Sequence, residues 1–293
     1  MPHIVRYEEE KYYLDSTSGT SSKKLFPSLD DEHSLYLSVI VPAYNEESRL
    51  PIMMDECLEY LENRLKRGAG FSYEVIVVDD GSSDATTKVA LKYAGDYGSE
   101  KIRVLTLVKN RGKGGAVRLG MLSARGKYLL FADADGATKF QDIEKLEEEM
   151  KKSSAVNKNS VVIGSRAHLE QEAIASRTFF RTILMYGFHF LVWFFAVRTV
   201  RDTQCGFKMF TREAARGLFQ VLHVERWAFD VELLYIAEKT RMSITEVSVN
   251  WTEIDGSKLV PVWSWLQMGV DLVLIWVKYQ LNIWNVRDNK KES

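Results

Sequence analysis

Two aspartates spaced i, i+2 close an apolar run in YLLFADADG, residues 128–136. Carboxylates at that spacing in a turn hold a hard divalent cation and leave coordination positions open for phosphate oxygens. Asp133 and Asp135 are equally compatible with two solvated turn aspartates, so the neighbouring segments decide. Residues 101–132 contain eight Lys or Arg and no acid. Among them, Lys113 and the pair Gly114-Gly115 open a predicted helix, where N–H groups without intrahelical partners and the helix dipole favour an anion. The turn is not a Walker loop, because GxxxxGK[ST] is absent, and GxGxxG is absent too. A basic glycine turn facing a two-aspartate turn implies a metal-bridged diphosphate. Asp79 and Asp80, in VDDGSSD, suit the rest of a nucleotide as acceptors for base N–H or ribose hydroxyl groups.

The elements that must position these residues follow from hydrophobic periodicity. Residues 37–42, 75–78, 104–108, 128–132 and 161–164 read as short buried strands. Residues 46–64, 84–93, 114–123 and 142–150 read as helices, the second capped by Ser82 or Ser83. Such alternation predicts an α/β fold, a mostly parallel sheet flanked by helices. Ligands of open sheets of this kind bind beyond the carboxyl ends of the strands. Four consecutive strand ends here carry polar turns, at 42–47, 79–83, 109–115 and 133–136. One polar turn is ordinary. Four in one crevice predict a site.

Composition limits the remaining possibilities. The 293 residues suffice for one or two domains. With 46% apolar and 27% charged residues, the chain is neither collagen-like nor a disulfide scaffold nor wholly disordered. The formal charge of −1 argues against nucleic acid binding over the whole surface. Cys57 and Cys205 read as small buried thiols suited to a reducing compartment. Residues 1–34 are polar and read as a loosely ordered arm without the apolar core of a signal peptide. The apolar run 183–197, between Arg181 and Arg198, has fifteen residues, short of the ~20 that span a bilayer. The apolar stretch 259–284 is interrupted by Asp271 and Lys278. Each is either a core helix or a helix lying in a membrane interface.

VPAYNEE, VDDGSSD, NRGKGGA and DADG, in this order and spacing, resemble the family 2 glycosyltransferases with the GT-A fold. GSRAHLE, RDTQCGFKMFTREAA, HVERWAFDVELL and VNWTEIDGSKL resemble more narrowly the dolichyl-phosphate β-glucosyltransferases. The resemblance covers residues 37 to about 284. It divides the chain into the arm 1–34, a GT-A domain 35–255 that includes 183–197, and a C-terminal amphipathic helical segment 256–293 for the membrane interface.

The resemblance implies UDP-glucose as donor, dolichyl phosphate as acceptor, and inversion at the anomeric carbon. It implies a nucleoside pocket at Pro42, Ala43, Tyr44 and Glu46, with Asp80 facing the uracil and Asp79 beside it. Lys113 would lie near the diphosphate, Asp133 would approach the ribose or the metal, and Asn110, Gly114 and Ala134 would complete the UDP-glucose site. Asp133 and Asp135 would hold Mg²⁺ or Mn²⁺, and Arg166, Arg177 and Arg181 the acceptor phosphate. Asp230 sits where relatives acting on hydroxyl acceptors carry a base; here it is assigned positioning or base, and a helix-cap aspartate accounts for it equally. Two departures stand out. DADGA lacks the Gln of the mannosyl branch's DADLQ, and with it any metal contact from that side chain. Relatives usually begin with a membrane-spanning helix, which the first residues of this sequence do not supply, so the sequence is either a shortened form of a longer protein or one that anchors by other means. The rival readings are a dolichyl-phosphate mannosyltransferase using GDP-mannose and a non-catalytic membrane-surface protein. The expected location is the cytosolic face of the endoplasmic reticulum membrane, which would leave the sequon Asn250-Trp251-Thr252 unmodified.

Overall fold

The computed structural model describes residues 6–15, 22–68, 70–168, 200–254 and 261–286. Strands β1 (Tyr12–Asp15) and β2 (Ser22–Leu25) form an antiparallel hairpin. Strands β3 (Leu35–Ala43), β4 (Tyr73–Asp79), β5 (Ile102–Thr106), β6 (Gly126–Ala132), β7 (Ser160–Ser165), β8 (Phe207–Thr211) and β9 (Ser243–Ser248) form one sheet in the order β5-β4-β3-β6-β8-β7-β9. Helices α1 (Leu50–Lys66), α2 (Thr86–Tyr97), α3 (Lys113–Leu122) and α4 (Ile143–Val156) follow β3, β4, β5 and β6, and all four pack on the sheet or its connections. Helices α5 (Arg212–Phe219), α6 (Phe229–Lys239) and α7 (Pro261–Gln280) complete the described chain.

The continuous apolar runs became central strands because both of their faces are covered. Every residue of β4 is buried, and Val39, Ile40 and Val41 of β3 are fully so. β3 pairs in parallel with β4 and β6, so the turns after Ala43, Asp79 and Ala132 emerge at one edge. β8 runs antiparallel to both β6 and β7. That reversal places Phe207, at the start of β8, opposite Ala132, at the end of β6. A loop more than seventy residues downstream is thereby delivered to the aspartate turn.

The structure moves several predicted boundaries. α1 begins at Leu50 rather than at Glu46, because Asn45 takes a positive φ of 53° and turns the chain before Pro51 opens the helix. α2 is not capped by Ser82 or Ser83. The Asp84 carboxylate instead accepts the Thr86 N–H at 2.9 Å. The largest correction concerns the N-terminal arm, several of whose described residues pack into the domain. Tyr13, Phe26 and Leu29 are buried in the main core, and Arg212 fastens the arm by donating to the carbonyls of Ser28 and Asp31. The apolar run 183–197 lies outside the described residues. Among the described residues no helix is long and apolar enough to cross a membrane.

At the amino end of the sheet, Glu74 is fully buried between Arg103 and Arg125 and accepts the Ser38 hydroxyl at 2.6 Å. Burial alone would raise its carboxyl, but the two guanidiniums outweigh that and hold it below its ordinary 4.5. Its stabilisation is therefore complete above about pH 4.5 and fades as pH falls through the lower folded value. Glu74→Ala leaves Arg103 buried without its carboxylate and is expected to lower the unfolding free energy by about 3–5 kcal/mol in a urea titration. A loss below about 1 kcal/mol, the worth of a surface pair, would contradict this.

Candidate active site

The carboxyl edge of the sheet gathers charge of both signs. Lys113, the first residue of α3, reaches across the crevice to Asp133, with its Nζ 2.6 Å from Oδ1 and 2.9 Å from Oδ2. Burial lowers the lysine's proton affinity, but Asp133 and the more distant Asp230 and Asp135 raise it further, so the ammonium is held charged. Asp135 sits in the same turn, with its Oδ1 accepting the Ala137 N–H at 3.0 Å. Burial, then the neighbouring Asp133 charge, pushes its carboxyl above the ordinary range. A carboxyl whose proton affinity rises beside a second carboxylate is suited to sharing a cation with it.

Among the described residues no cluster of three or more His, Cys, Asp or Glu side chains surrounds this turn. Among the described residues the protein side thus supplies the Asp133–Asp135 pair, and Mg²⁺ or Mn²⁺ fits if phosphate oxygens and water complete the shell. Gly206 makes the turn possible. Its carbonyl accepts the Asp133 N–H at 3.0 Å, and a β-carbon there would fall inside the Asp133 carboxylate.

Three predicted donor-side residues have additional work. Asp80 is 2% exposed and accepts the N–H groups of Arg111 at 2.7 Å and Gly112 at 2.8 Å, while Asn110 Nδ2 donates to its carbonyl. Burial pushes Asp80 up to about 6 despite those two bonds. Asp79 accepts the Ser82 N–H at 2.9 Å and the Thr87 hydroxyl. Both aspartates therefore shape the donor loops in this structure. Gly114 and Gly115 likewise differ from expectation. A β-carbon at Gly114 would lie 2.5 Å from Phe229 Cβ, and the Gly115 N–H donates to the Glu225 carbonyl at 2.9 Å. The glycine pair lets the 224–229 segment close over α3, and the Gly115 N–H is committed to that segment.

The nucleoside-side residues stay together at the β3 turn. Pro42 and Ala43 end the strand, Tyr44 is 39% exposed, and Glu46 holds Arg49 in a two-pronged ion pair at 2.6 and 2.7 Å. Ala134 is buried between the two metal-side aspartates. Arg49 was not singled out by spacing. Burial opposes its charge, Glu46 restores it, and Asp135 and Asp133 add to the effect, which places it in the field of the aspartate turn.

Asp230 is not a helix cap: the N-cap of α6 is Ala228, and the Asp230 carboxylate is buried 2.5 Å from Lys208 Nζ. Lys208, fully buried on β8, also donates to the Cys205 carbonyl at 2.8 Å. It was hidden in the sequence inside the apolar word FKMF. Burial raises the Asp230 carboxyl, and Lys208 and Lys113 oppose that rise.

Arg166 leaves the end of β7 and is gripped by Asp202, Nε to Oδ2 at 2.7 Å and Nη2 to Oδ1 at 2.8 Å, with its guanidinium 5.4 Å from the Trp251 ring centre. Burial opposes its charge, but Asp202 more than compensates, and Asp133 contributes at longer range. Arg166 therefore lies within electrostatic range of the aspartate turn, and Asp202 is the partner that spacing did not reveal. Arg177 and Arg181 lie outside the described residues. Cys57 and Cys205 are free and buried, and burial pushes the Cys205 thiol up to about 12, as expected of inert thiols.

Residues 38–219 match the family model for Glycosyl transferase family 2. The dolichyl-phosphate beta-glucosyltransferase of Drosophila melanogaster is 62% identical over 100% of this chain and 89% of its own length. The Homo sapiens protein of the same name is 60% identical over 99% and 89%. Glucosyl-3-phosphoglycerate synthase of Mycobacterium tuberculosis, in its structure with Mn²⁺ and uridine-diphosphate-glucose, superimposes with a TM-score of 0.54 at 17% identity, covering 86% of this chain and 81% of that one. That likeness establishes the shared GT-A fold. The chain is an enzyme of glycosyl transferase family 2 and, within that family, belongs to the dolichyl-phosphate β-glucosyltransferases.

Gly206→Ala is expected to force the Asp133 carboxylate away from Lys113 and to reduce glycosyl transfer at least about tenfold, because a misplacement of this size disrupts pre-aligned charge. Unchanged turnover by a folded variant would show that the Asp133 position is dispensable.

Proposed function

We propose that this enzyme transfers glucose from UDP-glucose to dolichyl phosphate with inversion, giving dolichyl β-D-glucosyl phosphate and UDP for protein N-glycosylation. The observation that carries the reading is the meeting of Lys113, Asp133 and Asp135 at one point of the crevice, Lys113 Nζ lying 2.6 Å from Asp133. One fixed ammonium beside two turn carboxylates suits a metal-bound diphosphate leaving group. The names of relatives 62% and 60% identical support the glucosyl donor and lipid phosphate acceptor over a mannosyl reaction from GDP-mannose.

In this mechanism Asp133 and Asp135 would hold Mg²⁺ or Mn²⁺, which when bound neutralises charge on the departing diphosphate. Lys113 adds a second positive charge from the opposite wall. Pro42, Ala43, Tyr44, Glu46, Asp79, Asp80 and Asn110 order the nucleoside side of the donor, with the two aspartates acting through the loops they pin. A phosphate monoester with a second pKa of about 6 is mostly dianionic at neutral pH and needs no general base. Asp230, paired with Lys208, accordingly serves positioning. Arg166, with Arg177 and Arg181, holds the acceptor phosphate; its Nη1 lies outside the Asp202 grip.

The lipid tail needs apolar surface. α7 turns Leu272, Ile275 and Tyr279 inward and exposes Val270, Val273 and Leu274, and Leu281 and Ile283 just beyond the helix are exposed as well. We propose that this face lies in the membrane interface, on the cytosolic side of the endoplasmic reticulum, where a soluble nucleotide sugar meets a lipid acceptor. The Asn250 amide donates to Asp142 at 3.1 Å, so its glycosylation state is a poor reporter of topology. An added sequon in the N-terminal arm is the cleaner test, and glycosidase-sensitive mass there would overturn the cytosolic assignment.

Incubation with radiolabelled UDP-glucose, UDP-galactose or GDP-mannose and dolichyl phosphate is expected to label lipid from UDP-glucose alone. Asp135→Ala should abolish that label while leaving the unfolding midpoint unchanged. Preferential mannose transfer, or no transfer from any donor, would overturn the reading.

A further inference from the structure

Glu10 lies in the polar arm, far in sequence from every donor motif, yet it is fully buried against the basic loop that carries them. Its Oε1 accepts the Val108 N–H at 3.0 Å, and its Oε2 lies 3.1 Å from Arg111 Nη2. One carboxylate thus holds both ends of the 108–111 segment. The arm secures Glu10 in turn: Oε2 accepts the Tyr7 N–H at 3.1 Å, and Arg6 donates to the Glu10 carbonyl at 2.9 Å and to the Ser123 hydroxyl at 3.0 Å. The Tyr7 ring is 5.5 Å from both Lys109 Nζ and Arg111 Cζ, within cation–π range. Arg111 has little freedom beyond this. Its side chain is 5% exposed, its N–H donates to Asp80, and its Nε is buried with no hydrogen-bond partner among the described residues. Its other charged neighbour, Glu225, is 3.8 Å away and 40% exposed.

We infer that Glu10 is a positioning residue for the donor diphosphate: through Val108 and Arg111 it sets the height of the loop that ends in Lys113. A buried carboxylate is needed because it satisfies a backbone N–H and a buried guanidinium at once, and a neutral side chain leaves that guanidinium only the half-exposed Glu225 at 3.8 Å. The arm that composition marked as loose is on this account part of the donor site. The inference rests on the proposed UDP-glucose reaction, since it assigns Glu10 to the half of the site that binds the nucleotide.

The test uses the full chain in detergent with Glu10→Gln, Glu10→Ala, Arg111→Ala and the double variant Glu10→Ala/Arg111→Ala. Three quantities are measured: KM for UDP-glucose, KM for dolichyl phosphate, and the equilibrium affinity for UDP with Mn²⁺. Glu10→Ala is expected to raise the donor KM and weaken UDP about tenfold or more, with the acceptor KM unchanged, as displacement of a positioned group predicts. Glu10→Gln, which keeps an acceptor for Val108 but loses the charge, should fall between wild type and Ala. The double variant should bind UDP no worse than Arg111→Ala alone, because the two residues act as one unit. A folded Glu10→Gln or Glu10→Ala whose thermal midpoint falls while UDP affinity and donor KM stay at wild type would overturn the inference and leave Glu10 a packing residue. If Glu10→Ala does not fold, wild-type values in Glu10→Gln do the same. Failure of the underlying reading is separable, because it shows in the wild type as absence of saturable UDP binding.

Discussion

The site depends on holding two carboxylates, Asp133 and Asp135, in one short turn, with no cluster of three or more acidic, histidine or cysteine side chains around them among the described residues. Like charges that close are costly in a partly buried setting. The structure offsets the cost with an ammonium that belongs to a different strand end, Lys113 at 2.6 Å from Asp133. Around that pair the signs alternate. Asp230 lies in the field of Lys113, and Lys208 neutralises Asp230 from the buried side. Arg49 and Arg166, each clamped by its own carboxylate, flank the aspartate turn.

The fold serves this arrangement through two devices. Parallel pairing of β3, β4 and β6 brings three polar turns to one edge, and antiparallel β8 returns a distant loop beside them. Close packing then locks the loops. Gly206 admits the Asp133 carboxylate, and Gly114 admits Phe229. Glu232, fully buried in α6, accepts the N–H groups of His223 and Val224 and the Tyr279 hydroxyl, joining the cover of the donor loop to the end of α7. The face proposed to meet the membrane is thus bonded to the segment that covers Lys113.

The parts legible in the sequence were those with local signatures. β4 and β6 read correctly because every face is covered, which turns a strand into an unbroken apolar word such as VIVV or YLLF. The aspartate turn and Lys113 were visible because glycine and charge interrupt those words. Residues whose meaning depends on distant partners were not. Lys208 sits inside FKMF and is explained only by Asp230 on another element. Glu10 looked like one more surface acid, and only the folded chain shows it against Val108 and Arg111. The arm was misjudged for the same reason: Tyr13, Phe26 and Leu29 are too widely spaced for any periodicity, yet they meet in the core. Gly114 and Gly115 suggested anion binding through their N–H groups, whereas the Gly115 N–H bonds Glu225 and the Gly114 site receives Phe229.

If the aspartate turn and Lys113 together form a metal-assisted diphosphate site, as proposed, UDP binding depends on the metal. Calorimetric titration of UDP into the full chain, once with Mn²⁺ and once with a chelator, measures that dependence. Saturable binding with Mn²⁺ is expected, weakening at least about tenfold when the metal is removed, as follows when a cation bridges ligand and protein. Equal affinity with and without metal would contradict it.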